Sequence, residues 1–264
     1  MPSFEAIWDR LNQRGERALV TFVTAGDPDL QDLPRILDTL VASGADIIEV
    51  GLPFSDPIAD GPVIQASSQR ALDRGVKLAQ IFDTLRAWNN PGVPVVLMGY
   101  YNSILRVGLS AFAQMAADAG AHGTIVCDLT PEEADPWVEA SRAHGLANIF
   151  LLAPTSTEAR VKEACQRGSG FVYAVSRTGV TGSSQSASPD ASKLVEMIRK
   201  LTKLPICIGF GISKPEHISA AIAVADGAVV GSSIVNLLHE TWNNGSGTGA
   251  LADYVKSLKT ATKP

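Results

Sequence analysis

Cysteine is scarce in this chain. Cys127, Cys165 and Cys207 are the only three, an odd number with neither zinc spacing nor a C-x-x-C pair, which excludes a disulfide scaffold and a zinc ribbon. Cys127 and Cys207 stand in apolar runs and read as small core residues, which suits a reducing compartment. No run of Lys or Arg occurs, and the formal net charge of −5 argues against a general nucleic-acid surface. A small positive patch for an anionic metabolite is still compatible with that balance. No apolar run approaches membrane-spanning length, and Met1 to Glu5 begins no signal-peptide core, so cytoplasm is the expected compartment. His122, His144, His217 and His239 fall in helices or at helix–strand junctions, and no Ser-His-Asp or Cys-His set can be assembled from the sequence. A dinucleotide fingerprint is missing too, and no metal site is expected.

What is present is a regular alternation. The chain has 264 residues, 45% of them hydrophobic, enough for one large α/β core. Apolar, β-rich runs at 18–24, 46–50, 94–98, 123–127, 148–152, 170–175, 204–208 and 227–230 are each followed by a stretch of helical period. Eight βα units predict a single (β/α)8 TIM barrel over residues 1–264. A doubly wound open sheet could use the same units, but eight even repeats over this length favour closure. An extra N-terminal helix is expected from Phe4, Ile7, Trp8 and Leu11, with Ser3 as its cap. Thr130, Pro131 and Glu133 read as a capping box that opens a helix over 131–144. The polar segment 176–188, rich in Gly, Ser and Thr, is expected to be a mobile loop over the active site.

Asp46 to Pro62 is the stretch around which the rest is arranged. It begins as an apolar strand, breaks at Gly51 and enters a loop rich in proline and acid. Alternation puts Ile47 and Glu49 on one face and Ile48 and Val50 on the other. Glu49 is thus a carboxyl at the end of a buried run, a costly position unless the group is paired, neutralised or used. Such a group is a candidate for general acid–base chemistry. A divalent cation on Glu49, Asp56 and Asp60 is a weaker reading, because the Asp/Asn ladder of a calcium loop is missing.

In a barrel of this kind, function gathers after the C-terminal ends of the strands. Glu49, Asp60, Tyr100, Asn102, Asp128, Tyr173, Thr181, Gly182, Phe210, Gly211, Gly231 and Ser232 all fall there. The last three strands end in turns rich in Gly, Ser and Thr. Their backbone N–H groups, and the helix start after Gly231 and Ser232, predict a phosphate cradle. Glu49 would then face the other end of a small phosphorylated substrate, with Phe22 and Phe210 as apolar walls.

The run Glu49-Val50-Gly51-Leu52-Pro53-Phe54-Ser55-Asp56-Pro57-Ile58-Ala59-Asp60-Gly61 closely resembles the signature of the tryptophan synthase alpha chain family. The likeness continues through Thr24 to Pro28, Leu97 to Asn102, Ala153 to Thr155, Thr178 to Gly182 and Gly209 to Ser213. It implies a lyase that cleaves indole-3-glycerol phosphate to indole and glyceraldehyde 3-phosphate by a retro-aldol reaction. By position, Glu49 matches the acid–base group, Asp60 the acceptor for the indole N–H, and Tyr173 a tyrosine near the reacting carbon. Phe22 and Ile64 match indole-pocket positions, and Gly182, Gly211, Gly231 and Ser232 match the phosphate cradle. Thr181 matches a loop residue that folds over the site. The resemblance also implies a beta-chain partner, an alpha2beta2 heterotetramer, contact through Pro53 to Asp56, and pyridoxal phosphate only in that beta chain.

Overall fold

The computed structural model describes residues 3–175, 189–209, 211–243 and 245–263. Its core is one parallel sheet of nine segments in the order β5-β4-β3-β2-β1-β9-β8-β7-β6. These are β1 (Ala18–Thr24), β2 (Ile47–Gly51), β3 (Val95–Gly99), β4 (Gly123–Val126), β5 (Ala147–Asn148), β6 (Leu151–Leu152), β7 (Val172–Val175), β8 (Ile206–Gly209) and β9 (Gly227–Val230). The two ends of that order, β5 and β6, are consecutive pieces of one strand. Between them Ile149 donates to the Thr124 carbonyl (3.0 Å) and the Phe150 carbonyl accepts from Tyr173 (3.2 Å). The ladder therefore runs round without an edge, and the fold is the expected (β/α)8 barrel. The uninterrupted strand expected over 148–152 is in fact split in two.

Helices cover the outside. They are α1 (Phe4–Arg14), α2 (Leu33–Ala42), α3 (Pro62–Asp73), α4 (Leu78–Ala87), α5 (Tyr101–Val107), α6 (Leu109–Asp118), α7 (Asp135–Ala143), α8 (Glu158–Arg167), α9 (Pro189–Leu201), α10 (Pro215–Ile222), α11 (Ser232–Thr241) and α12 (Thr248–Thr260). Ser3 caps α1 as expected, its Oγ accepting from the Ala6 N–H at 3.2 Å. The capping box at Thr130 does not form. Thr130 makes no side-chain cap bond, and Pro131–Glu133 is a single 3-10 turn. The sequence reason is Pro136: its ring would meet the carbonyl four residues back, so a helix continuous from Pro131 cannot form and α7 starts afresh at Asp135. The short helix α5 was not expected at all; the Tyr and Asn after β3 read as loop.

Two apolar layers result. Leu19, Val23, Ile48 and Val50 face outward against the helices, whereas Ala18, Val20, Ile47, Val96, Ile125, Cys207 and Val229 fill the barrel interior. Helix α1 closes the N-terminal end: Phe4, Ile7, Trp8 and Leu11 pack on that interior. The Trp8 indole N–H donates to the Gly170 carbonyl at 3.1 Å. Asp46, nearly fully buried, ties the same end together. It accepts from the Leu19 N–H (2.9 Å), Arg10 (3.1 Å) and Lys259 of α12 (2.8 Å). The opposite end is left open for chemistry.

Candidate active site

Glu49 is the third residue of β2 and points into the barrel, opposite Phe22 of β1 and Val96 of β3 in register. It is 1% exposed, and its Oε1 makes no hydrogen bond among the described residues. Loss of hydration disfavours the carboxylate, and burial pushes its pKa up to about 8. At neutral pH this side chain is an uncharged acid with one oxygen unengaged.

Asp60 ends the loop that follows β2, immediately before the Gly61 cap of α3. Partial burial raises its pKa, and a hydrogen bond from Tyr100 works against that rise. The Tyr100 hydroxyl donates to Asp60 Oδ2 at 3.0 Å and accepts from the Ala59 N–H at 3.1 Å. Its ring stacks on Phe54 with centroids 4.8 Å apart. Tyr100 therefore stands behind Asp60 and holds the loop, and it does not line the main cavity. Helix α3 is itself pinned. The Arg70 guanidinium makes a bidentate pair with the buried Asp27 (2.8 and 2.6 Å), and Thr24 bonds Ser67 at 2.7 Å. These bonds place Asp60 and Ile64 together over the barrel mouth.

A cavity of about 300 Å³ opens there. Phe22, Glu49, Asp60, Ile64, Met98, Tyr173 and Val229 line its floor and one side, and Gly211, Ser213, Gly231, Ser232, Ser233 and Asn236 line the other. Among the described residues that line it there is neither Lys nor Arg. What the described residues offer an anion on the glycine side is backbone N–H groups, hydroxyls, an amide and the positive end of α11. Gly211 has φ +75, a left-handed value that side chains rarely adopt. A second cavity of about 360 Å³ adjoins the first through Asp60, Met98 and Tyr173, and includes Cys127, Leu151, Thr155 and Arg160.

Tyr173 of β7 lies across β8. A Cβ at Gly209 would overlap its hydroxyl, and one at Gly51 would overlap the Phe22 ring. These two glycines are small so that two aromatic walls can lie flat. Gly209→Ala is expected to displace Tyr173 and lower kcat/KM by about tenfold while the fold is retained, because a shift of about 1 Å in a positioned group costs up to about 10²-fold. Steady-state kinetics beside a circular dichroism spectrum checks it. Burial and the neighbouring Glu49 carboxyl raise the Tyr173 pKa well above its usual value, so its hydroxyl stays protonated.

The structure thus brings Phe22, Glu49, Asp60, Ile64, Tyr173, Gly211, Gly231 and Ser232 to one cavity. Thr181, Gly182 and Phe210, like the loop 176–188, lie outside the described residues. Asn102 is exposed on α5, and Asp128 accepts from the Tyr101 N–H at 2.8 Å. No group of three or more His, Cys, Asp or Glu side chains among the described residues is placed to hold a metal ion. Cys207 is buried as expected, whereas Cys127 is only half-buried: it packs against the inner core and also lines the second cavity. Met98, Ser213, Ser233 and Asn236 were missed. One signal is readable in the sequence: Asn236 stands four residues after Ser232, on the same face of α11, and interrupts the apolar run from Ile234 to Leu238.

Fold and cavity place the protein among (β/α)8-barrel enzymes with their chemistry at the C-terminal mouth. The family model described as "Tryptophan synthase alpha chain" matches residues 8–263. The chain is 46% identical over 252 residues to the tryptophan synthase alpha chain of Geobacter sulfurreducens, covering 95% of each. With that of Desulfatibacillum aliphaticivorans it shares 43% over 262 residues, 99% of this chain and 97% of the other. Among solved structures, tryptophan synthase subunit alpha from Legionella pneumophila superposes with a TM-score of 0.90 at 34% identity, covering 99% and 98%. A ligand-free tryptophan synthase from M. tuberculosis gives 0.89 at 33% over the full length of both chains. The chain belongs to the tryptophan synthase alpha chain family and is a lyase of tryptophan biosynthesis. No helix among the described residues is long and apolar enough to cross a membrane.

Proposed function

We propose that this chain cleaves indole-3-glycerol phosphate to indole and glyceraldehyde 3-phosphate in the cytoplasm, as the alpha subunit of an alpha2beta2 tryptophan synthase. The observation that carries the reading is Glu49: a buried, neutral acid with a free oxygen, sharing one cavity with Asp60 and a cradle of N–H and hydroxyl donors. The phosphate sits against Gly211, Gly231, Ser232 and Ser233, and the indole ring packs on Phe22, Ile64 and Met98.

The step closes its own proton balance. Protonated Glu49 gives its proton to indole C3, leaving a carboxylate and a cationic indolenine. The charge is delocalised toward the ring N–H, which donates to the Asp60 carboxylate. Glu49 then takes the proton of the hydroxyl on the carbon attached to C3. As that oxygen becomes the aldehyde carbonyl, the carbon–carbon bond breaks and its electron pair returns to the ring. Glu49 ends as it began, and neither metal nor redox partner takes part. Pyridoxal phosphate belongs to the beta partner and not to this chain. Its docking surface is the loop after β2, which exposes Ile58 at 83%.

Indole release from indole-3-glycerol phosphate by the purified chain, alone and with a beta chain, tests this reading. Release that the beta chain accelerates supports it. Binding of the phosphate ester without turnover in either case would make the chain a sensor and remove the acid–base assignment. Release indifferent to any beta chain would leave a stand-alone lyase.

A further inference from the structure

The cradle proposed above has no lysine or arginine among its described lining residues, so the orientation of each neutral donor matters more than usual. Two of those donors are tied to a residue outside the cavity. Tyr254, on α12, places its hydroxyl 2.9 Å from the Ser213 carbonyl and 2.8 Å from Ser233 Oγ. Ser213 follows β8 and Ser233 is the second residue of α11, after β9. One phenol thus spans the two loops that form the cradle. Helix α12 is a firm base for it: five residues on, Lys259 is paired with Asp46 at the far end of the barrel, and Leu251, Val255 and Leu258 are buried.

Proton counting shows what the phenol can do. It carries a single hydrogen, so it cannot donate to both partners at once. With the cavity empty, Tyr254 can donate to the Ser213 carbonyl while Ser233 donates to Tyr254. When an anion arrives, Ser233 can turn its hydrogen to the anion, provided that its oxygen gains a donor in exchange. Tyr254 is that donor. Without it, the other partner of the Ser233 hydroxyl is the Ile212 carbonyl at 3.4 Å, which draws the serine hydrogen away from the cavity. Burial raises the Tyr254 pKa above its ordinary value, so the phenol keeps its proton throughout the working range.

We propose that Tyr254 is a positioning residue of the anion site: with the cavity empty it ties the loop after β8 to the loop after β9, and when an anion binds it turns its hydrogen to Ser233, freeing that hydroxyl to donate to a phosphate group. The proposal rests on the phosphate-cradle reading, and its test separates the two. Inorganic phosphate is used as a competitive inhibitor of indole release, and KM and kcat are measured for wild type, Tyr254→Phe, Ser233→Ala and the double variant. Ser232→Asp, which puts a negative charge into the cradle, is the control on the cradle itself.

Tyr254→Phe is expected to raise both KM and the phosphate inhibition constant by about 3- to 10-fold, the effect of one hydrogen bond, with kcat within about twofold. Ser233→Ala should do much the same. The double variant should lose little more than either single, because the two side chains act as one unit. A Tyr254→Phe enzyme with unchanged KM and inhibition constant overturns the proposal, as does a double variant whose loss is the product of the two single losses. A fall in kcat alone would likewise overturn it, since that is the mark of general loosening. If phosphate fails to inhibit wild type, or inhibits Ser232→Asp equally well, the cradle reading falls and the proposal falls with it.

Discussion

Glu49→Gln is expected to lower kcat for indole release by about 10⁴-fold, the upper end of what loss of a general acid–base group costs. In the proposed mechanism one side chain both gives the C3 proton and receives the hydroxyl proton, and Gln can do neither. It keeps the shape, so substrate binding should change little and KM should stay within a few-fold. The same substitution is expected to stabilise the protein at alkaline pH. Glu49 has a pKa near 8 when folded, against 4.5 for a glutamate in water. Between those values the folded chain holds a proton that the unfolded chain has released, so stability falls as pH rises and the contribution is lost above about 8. Gln pays no such penalty. Denaturant unfolding should show the two proteins equal near pH 4 and the variant ahead at pH 9 by roughly 3–5 kcal/mol. A variant that unfolds at the same denaturant concentration as wild type at pH 9 would show that Glu49 is not held in an apolar setting.

The second large effect is expected at Asp60. Asp60→Asn keeps the size of the side chain and an oxygen for the Tyr100 hydroxyl, but removes the negative charge opposite the developing indolenine. Removing such a preorganised group typically costs about 10²–10³-fold, and the loss should fall on kcat, because the charge it answers exists only in the transition state. In the proposed mechanism the carboxylate is the working form of Asp60, whereas the protonated acid is the starting form of Glu49. Activity should therefore be lost on the acid side as Asp60 takes up a proton, at a pH above the ordinary range for aspartate because burial has raised its pKa. On the alkaline side it should fall as Glu49 ionises near pH 8. A bell-shaped profile of kcat/KM in wild type whose acid limb disappears in Asp60→Asn tests the assignment. A profile that the substitution leaves unchanged would put the acid limb on another group.

Much of this architecture is local and was legible in the chain itself. Alternation along 46–50 placed Ile47 and Glu49 on one face, and the structure turns that face into the barrel. The stripe of Phe4, Ile7, Trp8 and Leu11 determined α1 and its buried side. Repeated βα units predict closure, and the rule that function follows strand ends gathers Glu49, Asp60, Tyr173, Gly211 and Gly231 at one mouth, where the structure has them. The sequence determines these because side-chain period and turn chemistry act over a few residues.

Other features depend on residues far apart, and only the tertiary structure decides them. The strand over 147–152 is divided, its first half paired with β4 and its second with β7, a long-range pairing that no local pattern reports. The break before α7 is the exception: Pro136 is a local signal that stands in the sequence itself. Tyr100 proves to stand behind Asp60 because Phe54 and Ala59 fold back onto it from the preceding loop. Cys127 lines the second cavity while it packs on the inner core, since the chain just after β4 reaches the barrel mouth. The link from Tyr254 to Ser213 spans 41 positions, and no periodicity reports a contact of that separation. Burial of Glu49 belongs to both levels: the alternation chose its face, and the packing of the whole barrel removed the water that would have kept it an ordinary carboxylate.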